Sequence, residues 1–301
     1  MDSGRILVVL EAEAESQPSL VRARQIAECT GSKLELLIAD YSSYLEDGYY
    51  FDPIQAQELR REHGEKQLQE GEAIAEPLRK KGLVVSVTVA WGNPPVSEII
   101  KRVQESKPSL VVKAVAHHAR LTNLLLGNDD WELIRYCDAP LLLVKTGKWP
   151  EKPSFIASVD PAHVHDKPAA LDNKIIAMAN DMAKSFDGSV YAFHSAWMPP
   201  LSGMYPVVAD ARVEEASLVE FAGTHDIDAD QCLWSDEIIT KSLPKLTDAL
   251  SASAVIMGAV SRSRLDRILI GSTAEKLLDK LDCDVLVVKP DEMPQKSSIL
   301  I

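Results

Sequence analysis

The sequence predicts an α/β protein built from two tandem copies of a five-stranded parallel sheet with helices on both faces. Short apolar runs, such as Arg5–Leu10 and Ala254–Gly258, alternate with amphipathic stretches along the whole chain. Such runs are typical of strands buried on both faces of a parallel sheet. The connections between successive strands are too long for hairpins, which indicates right-handed βαβ units.

A long internal repeat indicates that the chain is a tandem duplication. Ser253–Lys289 aligns without a gap on Ser109–Lys145, with Gly271 opposite Gly127 and with the final Val-Lys pairs in register. A match of this length is hard to explain by composition. The length of 301 residues also fits about two domains. We therefore predict a first domain at 1–146, a linker at 147–153 that is rich in Gly and Pro, and a second domain at 154–301.

The local patterns place each element in turn. In the first half we expect strands at Arg5–Leu10, Lys33–Ala39, Val84–Trp91 and Leu141–Lys145, with the fifth strand around Val111, opposite Val255 of the repeat. We expect helices there at Ser19–Cys29, Gln55–Lys80 and Pro95–Glu105. In the second half we expect strands at Ser154–Val159, Ser189–Ser195, Gln231–Trp234, Ala254–Gly258 and Val285–Lys289, and helices at Lys167–Phe186, Ala211–Phe221, Glu237–Leu250 and Ala274–Leu281. Interruptions of the long first-half helix are expected at Gly64, Gly71 and Pro77. The first helix of each half should end at a glycine suited to a left-handed backbone, Gly31 or Gly188.

Composition and charge limit the classes of function. The net charge of −13 argues against nucleic acid as a direct partner, because no basic stripe offsets phosphate repulsion. No apolar run approaches the roughly 18–20 residues of a membrane helix, and the N-terminus does not read as a signal peptide. We therefore expect a cytoplasmic protein without a membrane span. The four cysteines are scattered, and we expect them to be reduced and mostly buried: Cys29, Cys137, Cys232 and Cys283.

The candidate binding residues lie in the second half, at the loop ends of predicted strands. Gly258 ends one strand, Ser261 follows it, and Gly271-Ser272-Thr273 precedes the last helix. Asp160 ends the first strand of the same half. Together with the duplication, this pattern resembles the universal stress protein family, and in particular the tandem UspE-type proteins of bacteria. In that family a G-x2-G-x9-G-[S/T] signature holds ATP phosphates, and an aspartate that ends the first strand contacts the nucleotide.

The resemblance implies an ATP site in the second half only, formed by Asp160, Gly258, Ser261, Arg262, Gly271, Ser272 and Thr273. Glycines allow the backbone to approach phosphates closely, and a helix that begins after Gly271 directs its N–H groups and positive dipole end at an anion. The hydroxyls are further donors, and Arg262 could supply charge. Two observations weigh against this site. Ser272 to Glu275 also forms a capping box that needs no ligand. Ser261 stands where the signature has a glycine, at a cost of about 1–2 kcal/mol if the position needs a positive φ.

The first half departs further from the signature. Ala114 and His117 replace its glycines, and Asn128-Asp129-Asp130 replaces the hydroxyl residues. Carboxylates in the first turn of a helix suit its dipole but repel a phosphate. Glu11 stands near the position of the nucleotide-binding aspartate. We therefore predict that the first half binds no triphosphate. Lys113, which is unusual within a strand, is expected to extend its ammonium group to solvent.

Other candidate chemistry is weaker. His163 and His165 could chelate Zn²⁺ with Asp160 or Asp166 as a third ligand. However, no HExxH or paired-cysteine spacing supports a metal, and we favour a solvated loop. His194 lies in a strand and is expected to be a hydrogen-bonded core residue. Walker, Rossmann and nucleophile-elbow motifs are absent from the sequence. We find no catalytic constellation and expect at most slow ATP hydrolysis.

Aromatic and methionine residues after the second strand of each half suggest an alternative site for an apolar or amphipathic, lipid-like ligand. The candidates are Tyr49, Tyr50, Phe51, Trp197, Met198, Met204 and Tyr205. The competing interpretation is that these side chains pack against the facing domain.

The apolar last strands need cover, and the resemblance implies that they pair inside the chain to give a pseudo-dimer. Association of two chains into a homodimer stays open. The function expected from the sequence is a stress-response binding and regulatory module. Its ligand would be ATP or, alternatively, a lipid-like molecule, and a weak ATPase is the remaining alternative.

Overall fold

The computed structural model describes residues 4–11, 16–45, 52–115, 126–145, 147–161, 170–197, 211–259 and 276–290. The first half contains β1 (Arg5–Leu10), α1 (Pro18–Thr30), β2 (Lys33–Asp40), α2 (Pro53–Lys80), β3 (Val85–Trp91), α3 (Pro95–Ser106), β4 (Leu110–Ala114), α4 (Asn128–Tyr136) and β5 (Leu141–Val144). The second half contains β6 (Ser154–Ser158), α5 (Ala170–Phe186), β7 (Ser189–Ser195), α6 (Ala211–Gly223), β8 (Cys232–Ser235), α7 (Ile239–Ala249), β9 (Ala254–Gly258) and β10 (Asp284–Val288). Residues 276–278 are helical and belong to what we call the last helix.

The strands form one sheet of ten strands in the order β3-β2-β1-β4-β5-β10-β9-β6-β7-β8. Pairing within each half is parallel. The two halves meet where β5 and β10 run antiparallel, with Leu142 opposite Leu286. Each half thus repeats the same order about a pseudo-two-fold axis at this pair. The predicted tandem α/β fold and its intramolecular pseudo-dimer are confirmed.

Two apolar cores cover the two faces of the sheet, and each core includes residues from both halves. Alternate residues of β1 divide between them, since Ile6 belongs to one core and Leu7 to the other. Helices α1, α2, α5 and α6 pack on the first face, and α3, α4, α7 and the last helix pack on the second. The continuous apolar runs of the sequence form strands because both faces are buried in this way.

The segment between β5 and β6 is fixed between the halves. Trp149 is buried, and its ring meets Phe155 and Phe186 edge-on at centroid distances of 5.2 and 5.5 Å. The Arg22 guanidinium of α1 lies 3.9 Å from the centre of the Trp149 ring. The same guanidinium donates to Asp284 of β10 across 2.7 Å. A first-half helix, the connecting segment and a second-half strand therefore share one buried polar cluster.

One of the two expectations about helix-ending glycines needs correction. At the end of α1, Gly31 adopts the left-handed conformation as predicted, with φ of 70°. At the end of α5 the left-handed residue is Asp187, with φ of 50°, and not Gly188. Gly188 is needed for a different reason, because a Cβ atom there would lie 2.2 Å from the Pro153 carbonyl oxygen.

The long helix α2 is continuous, so the predicted interruptions at Gly64, Gly71 and Pro77 are wrong. Its buried stripe lies against the sheet, and this packing outweighs the weak helix propensity of the three residues. Gly71 permits a close contact there, since a Cβ atom would lie 2.6 Å from Cγ1 of Val87 on β3.

The cysteines are less buried than expected. Cys137 and Cys283 are buried, Cys232 is half-buried and Cys29 is exposed. Each is a free thiol, in agreement with the scattered spacing in the sequence.

Candidate functional site

Two of the predicted site residues of the second half, Asp160 and Gly258, lie at the carboxyl edge of the sheet. β6 and β9 are parallel neighbours, with Ser158 opposite Met257. Asp160 lies two residues beyond the end of β6, and Gly258 is the last residue of β9, so both lie at the same edge of the sheet. β7 lies on one side of β6 and β9 lies on the other side. The edge of the sheet between β6 and β9 is therefore a topological switch point. Open α/β sheets bind their ligands at such points.

Asp160 is held from two sides. Its backbone N–H donates to the Asp172 carboxylate in the first turn of α5 across 3.3 Å. Its own carboxylate lies 3.5 Å from Nδ1 of His194, and 34% of the Asp160 side chain remains exposed. The site thus offers a partly exposed carboxylate, an acceptor of hydrogen bonds, with a fixed backbone.

His194 is the residue at this site that sequence reasoning underestimated. It is buried in β7, and its Nδ1 also lies 3.2 Å from the Val159 carbonyl oxygen. The expectation of a hydrogen-bonded core histidine is confirmed, but the contact with Asp160 was missed. The register of β6 and β7 could have predicted this contact. Phe193 pairs with Ser158, so His194 lies beside the end of β6.

Gly258 has a structural reason to be glycine. A Cβ atom there would lie 2.7 Å from Cδ2 of Leu171 and 3.4 Å from Cδ1 of Ile175, both on α5. The missing side chain therefore makes room for the helix against the sheet. This clearance accounts for the residue without any ligand.

The remaining predicted site residues lie outside the described part of the chain. They are Ser261, Arg262, Gly271, Ser272 and Thr273, the histidines His163 and His165, and the aromatic-loop residues Tyr49, Tyr50, Phe51, Met198, Met204 and Tyr205. Trp197 is described and is 41% exposed.

In the first half, an ion pair occupies the start of α4. Lys113 on β4 donates to Oδ1 of Asp130 across 2.6 Å and to the Ala114 carbonyl across 3.1 Å. The other oxygen of Asp130 accepts the backbone N–H of Gly127 across 2.8 Å. The side chains are 13% and 1% exposed, respectively. The expectation that Lys113 reaches solvent is therefore wrong, since a buried carboxylate at the helix start attracts the ammonium group.

Glu11, the first-half counterpart of Asp160, has its backbone hydrogen-bonded to a side chain. Gln17 bonds to the backbone of Glu11 twice, accepting its N–H across 3.0 Å and donating to its carbonyl across 2.7 Å. Val9 pairs with Leu37, so Ile38 takes the place that His194 has in the second half. A carboxylate–histidine contact just after the first strand is thus a feature of the second half.

A cleft of about 500 Å³ lies at the outer edge of the first half, between α2 and the end of β3. Trp91, Val89 and Leu68 provide apolar walls, and the other lining residues are Arg60, Arg61, Gly64, Glu65 and Gln67. An apolar cleft with charged groups among its lining residues suits an amphipathic ligand.

A polar cluster adjoins this cleft. Asp40 at the end of β2 accepts hydrogen bonds from the Tyr41 N–H at 2.7 Å and from Gln67, and it meets Nε2 of His63 at 2.9 Å. Burial alone would raise the pKa of Asp40. The hydrogen bonds from His63, Tyr41 and Gln67 together outweigh burial and lower the pKa below its ordinary value. The imidazole of His63 meets the Trp91 ring edge-on at 5.7 Å.

Among the residues that the structure describes, no group of three or more His, Cys, Asp or Glu side chains is placed to hold a metal ion. Within the same ranges, no helix has the length and apolar character needed to cross a membrane.

Comparison with known proteins identifies the family. The model of the universal stress protein family matches residues 3–145 and 164–289. Universal stress protein E of Salmonella typhi is 27% identical over 95% of this chain and 94% of its own length. A crystal structure of a functionally unknown protein from Pseudomonas aeruginosa PAO1 is 28% identical, covers 95% of this chain and 92% of its own, and superposes with a TM-score of 0.74. A universal stress protein from Archaeoglobus fulgidus shares the fold, with a TM-score of 0.67 at 18% identity over 96% of this chain and 99% of its own. The chain belongs to the universal stress protein family, as a tandem protein of the universal stress protein E type.

Proposed function

We propose that this protein is a stress-response binding module of the bacterial cytoplasm that takes ATP in its second half. The observation that carries the proposal is the position of Asp160 just after β6, beside the neighbouring strand β9 that ends at Gly258, at the topological switch point of that half. Family membership and the Gly271-Ser272-Thr273 segment before the last helix add support. The role proposed is binding and regulation, with at most slow hydrolysis.

The residues present fit a nucleotide. The partly exposed Asp160 carboxylate is an acceptor for hydroxyl or amino donors, the groups that a nucleoside presents. His194 and the first turn of α5 hold it in place, which lowers the ordering cost of binding. Backbone N–H groups and hydroxyls at Gly271-Ser272-Thr273 would serve the phosphates. Arg262 would add charge.

The first half, in this proposal, takes no triphosphate. The carboxylate of Asp130 already accepts the Gly127 N–H at the start of α4 and neutralises Lys113. A phosphate at that helix start would have to displace a buried ion pair and would meet a second carboxylate, Asp129. One ATP per chain is therefore expected.

Calorimetric titration of MgATP into ligand-free protein tests the proposal. We expect one site per chain, and we expect Asp160→Ala to weaken it about tenfold or more, since a hydrogen bond to a charged group contributes about 1.5–3 kcal/mol. Glu11→Ala, the matched change in the first half, should leave the affinity unchanged. No heat of binding at millimolar ATP, or equal effects of the two variants, would contradict the assignment.

The cleft beside Trp91 favours a second candidate, an anionic amphipathic ligand in the first half. Its apolar walls would take an alkyl chain, and an anionic head group would lie beside Arg60 and compete with Glu65 for Arg61. A native mass spectrum of purified protein should show a co-purified lipid-like mass, and dodecyl phosphate should shift the tryptophan emission to the blue. Trp91→Ala should abolish both signals, whereas Trp197→Ala, which removes an exposed ring of the second half, should abolish neither. Loss in both variants or in neither would exclude the cleft as the site.

A further inference from the structure

Two equivalent lysines reach across the boundary between the halves. Lys145 follows β5 and Lys289 follows β10, and the two coincide in the internal repeat. The ammonium group of Lys145 donates to the Leu281 carbonyl across 2.8 Å and to the Leu278 carbonyl, both at the end of the last helix of the second half. The ammonium group of Lys289 donates to the Arg135 carbonyl across 2.8 Å, at the end of α4 in the first half.

The chemistry of these contacts is that of a helix C-cap supplied by a distant residue. The last carbonyls of a helix have no partner within the helix, and its C-terminus carries partial negative charge, so an ammonium group satisfies both. Both lysines are only 8% exposed. Burial lowers the pKa of each, while neighbouring acidic groups oppose that shift: Cys283, Asp279, Asp282 and Asp284 around Lys145, and Cys137 and Asp138 around Lys289.

The position of Lys145 in the chain gives its contact a consequence for binding. The last helix follows Gly271-Ser272-Thr273 in the sequence, and Lys145 of the first half donates to carbonyls at the C-terminal end of this helix. We infer that Lys145 is a positioning residue for the nucleotide site of the second half, so that this site depends on the first half of the chain. The inference rests on the proposed function. It also gives the first half a role in binding, although in our proposal that half binds no triphosphate itself.

Lys289 supplies the matched control. It makes the reciprocal contact, but its helix α4 begins at the buried Asp130–Lys113 pair and not at an intact signature. Removing Lys289 therefore takes away an equivalent buried ammonium group without touching the helix of the proposed site.

The test uses the full chain and three variants, Lys145→Met, Lys289→Met and Lys145→Arg. We expect Lys145→Met to weaken MgATP binding about tenfold or more in calorimetric titration. Lys289→Met should stay within about twofold of the wild type despite a similar fall in melting temperature, and Lys145→Arg, which keeps the donors and the charge, should restore most of the affinity. Equal losses in the two Met variants, or wild-type affinity in Lys145→Met, would overturn the inference.

Hydrogen exchange separates this inference from the ATP proposal. Lys145→Met should speed exchange of the amides at 277–281, and Lys289→Met should speed exchange at 133–137. If the wild type binds no ATP, the ATP proposal fails, and unchanged exchange at 277–281 would independently refute the anchoring role of Lys145. If Lys145→Met does not fold, Lys145→Gln replaces it with the same expectations.

Discussion

The buried pair of Arg22 and Asp284 should be the most sensitive point of the contact between the halves. The two side chains are 1% and 0% exposed and lie 2.7 Å apart. The second oxygen of Asp284 accepts the Lys145 N–H across 2.9 Å, and Arg22 also donates to Gln25 across 2.8 Å and to Gly147. Asp284→Asn keeps the shape and the acceptor for Lys145 but removes the charge that faces Arg22.

The magnitude follows from burial. Unit charges about 4 Å apart attract by about 4 kcal/mol at an effective dielectric constant of about 20. Desolvation offsets much of that in the intact pair, and it becomes an unopposed cost when one partner is lost, typically about 3–5 kcal/mol. Burial already lowers the pKa of Arg22, against the attraction of Asp284. At about 2 °C per kcal/mol for a chain of this size, the melting temperature should fall by about 6–10 °C.

Thermal unfolding at pH 7, followed by circular dichroism, measures this effect. Arg22→Met should cost at least as much as Asp284→Asn, because it also removes the contact with the Trp149 ring. The double variant should be more stable than the sum of the single losses predicts, by at least about 2 kcal/mol. Glu65→Gln removes an exposed partner of Arg61 and should cost less than about 0.5 kcal/mol. Additive losses, or an Asp284→Asn variant as stable as Glu65→Gln, would refute the reasoning.

Two further predictions concern buried groups. Asp130→Asn should lower stability by about 1–3 kcal/mol in urea unfolding, since it leaves a largely buried ammonium group, 13% exposed, without its charge partner. Asp129→Asn, in the same helical turn but exposed, should cost no more than about 0.5 kcal/mol, and equal losses would contradict the role of the pair. Burial raises the pKa of Cys137 to about 11 and of Cys283 to about 12. The stability that these protonated thiols contribute is present below the ordinary thiol pKa and is lost as the pH rises through about 11–12. At pH 9 a thiol reagent should therefore modify the exposed Cys29 in the native protein but reach Cys137 and Cys283 only after unfolding, and rapid native modification of both would contradict their burial.

The fold was predictable because its signals are local and repeated. The apolar runs of β7 and β9 give both strand boundaries correctly, since buried parallel strands need unbroken hydrophobic sequence. Because the chain is a tandem duplication, the strand order of one half also predicts the strand order of the other. Propensity failed in α2, where packing on β3 overrides Gly71 and Pro77.

The site was less predictable because its contacts depend on distant residues. Motif spacing alone could not reveal that Gly258 makes room for Leu171 of α5. Nor could it show that Lys113 turns inward to Asp130 or that His194 meets Asp160, since these contacts depend on helix placement and strand register. Lys145 and Lys289 were visible in the sequence as equivalent positions of the internal repeat. The carbonyl groups that they contact in the opposite half were not.

The central proposal, one ATP site located in the second half, is tested most directly by calorimetric titration of MgATP beside Gly271→Asp and Asp129→Lys. Gly271→Asp places a carboxylate before the last helix, and Asp129→Lys removes one from the start of α4. We predict one site per chain in the wild type, lost in Gly271→Asp and kept unchanged in Asp129→Lys. Binding that survives Gly271→Asp, or a stoichiometry of two, would contradict the assignment, and no binding in any of the three proteins would refute ATP as the ligand.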